Sequence, residues 1–457
     1  MGPWPWTPRS ATQRADRPAG SISRPAGQPV SDVVGCGIDY GSSNSAIALA
    51  YTDRVEVIGE ADEDVLAPSA LYLHRDGRRV AGTTAAELFF RTGHERTFCA
   101  NCSLARYGVS DCRQFRRAGS CNDSRLLWGV KRDLANLGFA GTNSWATDFP
   151  VTELVVVTLA LLKRRAERVA RTELHRAVIG HPVVFAGAAG DPASRANVTA
   201  RARLRDAAQL VGFTEVALYP EPAAAGLADD TRHGSVLLCD FGAGTYDVAV
   251  LRRRGGELSV EALSGVDIGG SRFDEVLFET VVGPALGLTG LPSWLFNEMK
   301  SLSGVMLLMA DPDLHSLLER LGGHASRVVA AILYGGHAYR LYKAIEAAKI
   351  ELSRRDATEL SSEVPGVELR ANVSRAQFET SIGPELQELA AVSRRALDAA
   401  GLQPADVDVV AVTGGSSQVP AFQRMLSALC PRAELRREAA FTTVVRGLGA
   451  RARELWA

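Results

Sequence analysis

No stretch of this 457-residue chain approaches the roughly eighteen consecutive apolar side chains that a membrane-spanning helix needs, so no transmembrane segment is expected. Charge of one sign is missing too: 51 Lys and Arg stand against 52 Asp and Glu, a net charge of −1. So even a balance leaves no electrostatic footprint of a nucleic-acid binder, and nucleic acid is not an expected partner. The opening MGPWPWTPRS lacks the apolar core of a secretory signal, which makes the cytoplasm the expected compartment. Cysteine is sparse. Seven of them, unevenly placed, do not make a disulfide framework. Cys36, Cys239 and Cys430 stand in or beside apolar runs, as small buried hydrophobes do. Cys99, Cys102, Cys112 and Cys121 instead crowd one polar stretch that also carries Arg106, Arg113, Arg116 and Arg117. Its C-x2-C start supplies two ligands of a tetrahedral zinc site from one knuckle. An iron–sulfur cluster, redox thiols and unligated cysteines are the alternatives.

What is present is apolar sequence, 46% of the chain, enough for large cores in a protein of roughly two to four domains. Residues 1–30, rich in Pro, Arg, Ser and Gly without periodicity, read as a disordered tail. The chain is organised around residues 236–251, VLLCDFGAGTYDVAVL, two apolar runs flanking a glycine turn, which predicts a hairpin. The turn carries Asp240, Gly242, Gly244, Thr245 and Asp247. Glycines let backbone N–H groups approach an anion, and carboxylates beside such a nest make sense with a divalent cation between them and a phosphate. The bland alternative is a tight hairpin with a polar turn. Residues 33–51 repeat the pattern: an apolar strand, Asp39 and Gly41, the small polar residues Ser42, Ser43 and Asn44, then a second apolar strand. Two such hairpins about two hundred residues apart predict two related lobes facing each other.

Further along, Glu221 lies between two prolines at the start of a small-residue helix, a carboxylate held stiffly where backbones can cross closely. It reads either as a group that orients a water or as a charge in the first helical turn. Gly269 and Gly270 form a second close-approach turn ahead of a helix starting near Ser271. Glu346, Lys349 and Ser353 share one face of a helix predicted over 339–352. Such a face is a solvated salt-bridge stripe or the wall of a nucleotide cleft. The run 407–412 delivers Gly414, Gly415 and Ser416, a turn suited to a nucleotide's sugar and base. Thr152 is the expected N-cap of a long helix, 177–185 a buried strand interrupted near Pro182, 198–211 a helix, and 377–400 helical. His181, within that strand, reads as structural.

Taken in order, GIDYGSSNS, YPEPAAAGLA, DFGAGTYDV, DIGGSRFD, KAIEAAKIELS and VTGGSSQVP resemble the ATPase portion of DnaK-type heat-shock chaperones, within the actin/hexokinase superfamily. The chain looks most like the truncated YegD-like branch. The resemblance implies an α/β fold, a two-lobe actin-like ATPase of duplicated ribonuclease-H-like lobes. It places lobe I at 31–228 with a cysteine-rich insertion at about 93–125, lobe II at 229–457, and no peptide-binding domain. It implies ATP or ADP with Mg²⁺ as ligands, Asp39 and Asp240 holding the metal through water. Glu221 would orient the attacking water, Thr245 would lie near the γ-phosphate, and Asp247 would help to position the water. Gly41, Ser42, Ser43, Asn44, Gly242, Gly244, Gly269 and Gly270 would face phosphates. Glu346, Lys349, Ser353, Gly414, Gly415 and Ser416 would face adenosine. Pro182 and Arg201 fall where the family keeps an interlobe switch pair.

The departures are as specific. Ala86 stands where the family has a catalytic lysine, Gln418 where it has an adenine-stacking arginine, and the acidic residue near the start of the last helix is absent. Lys131, in a family-like VKR segment, is the nearest candidate to compensate. The expectation is slow ATP hydrolysis coupled to lobe closure; the alternatives are a nucleotide-sensing scaffold without turnover and a small-molecule kinase of the same superfold.

Overall fold

The computed structural model describes residues 32–59, 65–91, 124–144, 147–188, 191–228, 234–255, 257–309, 311, 314–334, 338–364, 367–439 and 441–457. The expected tail and the cluster of Cys99, Cys102, Cys112 and Cys121 lie outside them. Two hairpins seed two sheets. In the first, β1 (Val33–Tyr40) and β2 (Asn44–Tyr51) pair antiparallel, with Asp39 opposite Ala46. Strand β3 (Val55–Val57) extends the edge, while β4 (Arg176–His181) and β5 (Glu215–Pro220) add parallel to β1, in the order β5-β4-β1-β2-β3. The second sheet repeats this. Strands β6 (Gly234–Phe241), β7 (Tyr246–Arg254) and β8 (Glu257–Val266) form the antiparallel half. Strands β9 (Val409–Thr413) and β10 (Glu434–Arg437) form the parallel half, in the order β8-β7-β6-β9-β10. Parallel strands covered on both faces need unbroken apolar runs, and Ala177, Val178, Ile179, Val410, Ala411 and Val412 supply them, each at most 1% exposed.

The helices repeat as well. Helix α1 (Thr83–Arg91) lies in a side region; α2 (Val151–Ala170), α3 (Arg195–Leu210) and α4 (Glu221–Ala228) alternate with the parallel strands of the first sheet. In the second repeat, α5 (Gly270–Leu277) and α6 (Ala338–Leu352) precede α7 (Gly383–Ala399), α8 (Pro420–Leu429) and α9 (Thr443–Trp456), which match α2 to α4 in position. This duplicated, two-lobe α/β arrangement is the expected actin-like fold. The closing helices exchange partners. Helix α4 packs on the second sheet, where a Cβ on Gly226 would lie 2.3 Å from Leu251 Cδ1. Helix α9 packs on the first, where a Cβ on Gly37 would meet the Gly449 nitrogen at the same distance. Where α4 and α9 cross, a Cβ on Gly447 would sit 1.7 Å from the Ala224 carbonyl oxygen. Only glycine permits that approach. Cys36, Cys239 and Cys430 are buried, as their apolar surroundings predict.

Several boundaries differ from the sequence reading. Thr152 is not an N-cap: Pro150 holds that place, its φ of −55° fitting helix entry, and Thr152 falls inside the first turn. Strand β4 ends for good at the interruption expected near Pro182, which cannot continue a ladder, so 183–185 lie outside it. The real cap of α3 is Ser194, whose Oγ accepts from Asn197 N. The region 377–400 is two helices, Arg375–Ser381 and α7, broken by Gly383-Pro384. The polar strand Ala357–Val364, paired with Val367–Ser374, carried no apolar alternation to reveal it.

Candidate functional site

Both hairpin turns point into one crevice. A Cβ on Gly244, in the second turn, would lie 2.5 Å from Ser42 Oγ in the first, so the two loops touch across the lobes. The first loop is braced by Ser69: its Oγ donates to Gly41 O at 2.7 Å, and its N–H donates to Ser43 O at 2.8 Å. Asn44 opens β2 opposite Pro68. The second loop is laced to its neighbours: Gly270 N donates to Gly242 O and Ser271 N to Ala243 O, both at 2.9 Å. Ser416 Oγ donates to Gly242 O at 2.9 Å. A Cβ on Gly269 would meet Ala243 O at 2.2 Å. Gly414 takes φ 84°, a left-handed conformation that brings its backbone against Phe241 O and Asp240. Gly242, Gly244, Gly269, Gly270, Gly414, Gly415 and Ser416 are therefore one continuous wall.

Carboxylates converge behind these loops. In register, Asp240 pairs with Asp247 across the hairpin and with Thr413 on β9. Asp247, 1% exposed, accepts from Thr245 Oγ1 and from Val183 N, each at 2.7 Å. Glu221 opens α4 and accepts from Lys131 Nζ at 2.6 Å, both side chains buried. The charges feel one another. Desolvation first, then the negative charge of Glu221, pushes both Asp39 and Asp247 up to about 7. Burial and the charges of Glu221, Asp247 and Asp39 raise Asp240 well above the usual carboxylate range. Burial works against the Lys131 ammonium, but Glu221 and Asp39 outweigh it and the pKa rises. One lysine thus faces Asp39, Glu221, Asp240 and Asp247, an excess of negative charge that asks for a further cation. Beside Asp240, the buried Thr413 hydroxyl is without a partner among the described residues. These features fit a divalent ion. Among the described residues no three His, Cys, Asp or Glu side chains converge tightly enough to ligate one directly, so it would be held through water.

On α6 the expected stripe divides. Lys349 Nζ donates to Gly270 O at 3.0 Å and to Asp274 Oδ2 at 2.8 Å, joining the helix to the second loop. Ser353 Oγ donates back to Lys349 O at 3.3 Å, and Glu346 pairs outward with Lys343 at 2.6 Å. Gln418 is exposed, and the half-exposed Phe441 ring lies over Gly415, 3.3 Å from where its Cβ would be. Ala86 is buried in α1 and carries no charge. Arg201 donates to Pro192 O at 3.1 Å. His181 is buried with Nδ1 2.7 Å from Pro182 O. Sequence reasoning missed Ser69 and Phe441, which belong to no motif and reach the site only through the fold, and gave no role to Thr413, which stands inside VTGGSSQVP.

A family model described as Hsp70 protein matches residues 35–285 and 336–441. Among curated proteins, the chain is 27% identical over 410 residues to a chaperone protein dnaK3 of Synechococcus elongatus, covering 87% of this chain and 47% of that protein. It is also 27% identical over 410 residues to a chaperone protein DnaK 1 of a Synechococcus species, with the same coverage of each chain. Against a chaperone protein dnaK3 of a Synechocystis species, identity is 26% over 407 residues, 87% of this chain and 45% of that one. The chain spans about half the length of the curated relatives it matches.

Proposed function

Because the chain belongs to the Hsp70 family, which its matched segments establish over well more than half its length, we propose that it binds ATP with Mg²⁺ and hydrolyses it slowly to ADP and phosphate, coupled to lobe closure. The observation that carries this reading is the crevice where two glycine hairpins touch over four carboxylates and one buried lysine. Backbone N–H groups of Ser42 to Asn44 and Gly242 to Thr245 would cradle the phosphates. Asp39 and Asp240 would hold hydrated Mg²⁺, which offsets phosphate charge when bound. Glu221 would orient the attacking water, whose oxygen bonds to the γ-phosphorus as the bond to the β,γ-bridging oxygen breaks. Thr245, its hydroxyl fixed by Asp247, lies on the same wall. Gly414, Gly415 and Ser416, with Lys349 behind them, would receive the nucleoside.

Calorimetric titration with ATP, ADP and AMP, with and without Mg²⁺, tests binding; absence of heat with Mg-ATP removes the reading. Single-turnover decay of bound ATP tests hydrolysis, and Glu221→Ala or Thr245→Ala should slow it by about 100-fold or more. Equal rates in those variants would refute the roles assigned to them. A second reading, a nucleotide sensor without turnover, draws support from the uncharged, buried Ala86. Stable ATP in the single-turnover experiment would favour it.

A further inference from the structure

Lys131, in the VKR segment, is buried with its ammonium inside the site. It projects from a short 3-10 turn, Val130–Ala135, that is clamped at both ends. At the front, Gly129 takes φ 69°, and its N–H donates to Ser69 O at 3.2 Å, the same serine that braces Gly41. A Cβ on Gly129 would lie 3.4 Å from Ser42 O, so the turn abuts the first hairpin loop. At the back, Arg203 Nη1 on α3 donates to Leu134 O at 2.9 Å and Asn136 O at 3.0 Å, satisfying carbonyls at the end of the turn. Lys131 Nζ lies 2.6 Å from Glu221 Oε1. On the other side Glu221 is backed by strand β4, where a Cβ on Gly180 would approach its Cγ to 3.0 Å.

We propose that Lys131 is the positioning residue of this site, gripping Glu221 from the 3-10 turn of the same lobe and setting the carboxylate that orients the attacking water. The inference rests on the turnover reading above. It explains how hydrolysis survives an uncharged residue at position 86: the cation enters from the 3-10 turn instead of from α1. A purely structural buried ion pair is the competing account, because breaking any such pair leaves an uncompensated charge and destabilises the fold.

The two accounts separate in a double-mutant cycle on the full chain, combining Lys131→Met with Glu221→Gln and reading single-turnover ATP decay, Mg-ADP affinity and thermal midpoint. If Lys131 acts through Glu221, Lys131→Met slows decay about 100-fold while Mg-ADP affinity changes less than about threefold. The double variant is then no slower than Glu221→Gln alone, and Lys131→Arg recovers part of the rate. Should Lys131→Met not fold, the double variant removes both charges together, and the Lys131→Arg arm carries the same cycle. Unchanged decay in Lys131→Met overturns the proposal, as do rate losses that multiply in the double variant. Wild-type protein that binds Mg-ATP without hydrolysing it overturns the proposal together with the turnover reading, and leaves nucleotide binding standing.

Discussion

Asp247 shows how burial and charge oppose each other at one residue. Its ordinary pKa is 3.8, and in the fold burial followed by the charge of Glu221 pushes it up to about 7. Between those values the folded chain keeps a proton that the unfolded chain has released, so stability from this group is full below about pH 4 and is lost as pH rises toward 7. Asp39 follows the same sign. Asp247→Asn should therefore raise the thermal midpoint at pH 8, by a stability gain of about 1–3 kcal/mol, and change it little below about pH 4. A loss of stability at pH 8 would show that the carboxylate's bonds to Thr245 and Val183 outweigh its burial. Asp39, Asp240 and Asp247 were legible as an Asp-x-Gly pair and a hairpin turn. Lys131 was legible as the VKR residue that could compensate for Ala86, but its pairing with Glu221 was not, because that partner lies ninety residues away in sequence.

At the scale of elements, the crossing of α4 and α9 is what fastens the two repeats. Each helix closes one repeat and covers the other's sheet, and the backbones meet at Ala224 and Gly447. Gly447→Ala should cost about 3 kcal/mol in urea denaturation, since the methyl meets backbone that cannot rotate away. A loss below about 0.5 kcal/mol would mean the crossing has slack. The hairpins and the small-residue helix were readable in the sequence because glycine turns and apolar runs are local signals. The break at Gly383-Pro384 was marked there too, yet the helical periodicity on either side obscured it. The lacing of Gly242 to Gly270 and Ser416 was not readable, because its hydrogen bonds join loops far apart in the chain.

For the molecule as a whole, the proposed binding of nucleotide would be coupled to the charge of the crevice. Neutralising its carboxylates with a divalent ion lowers their proton affinity. Binding of Mg-ATP near pH 6.5 should therefore release protons, visible as a dependence of the calorimetric heat on the buffer's ionisation enthalpy. Heats that agree in phosphate and Tris would argue against titrating carboxylates at the site. Saturating Mg-ATP should also raise the thermal midpoint, by about 2.7 kcal/mol of stabilisation at a hundredfold excess over Kd. AMP, which lacks the phosphates that the hairpins would hold, should give far less.

The duplicated hairpins came from the sequence alone, since apolar runs, glycine turns and Asp-x-Gly are written within a few residues. So did the family, from motifs in a fixed order. The tertiary structure decided what sequence spacing does not encode: that the hairpin loops touch, that Lys349 turns to Asp274, and that Lys131 pairs with Glu221 ninety residues away. The physical reason is the range of the interactions. Strand and turn formation are set by neighbours in sequence, whereas charge pairing and close glycine contact depend on which surfaces the fold brings together.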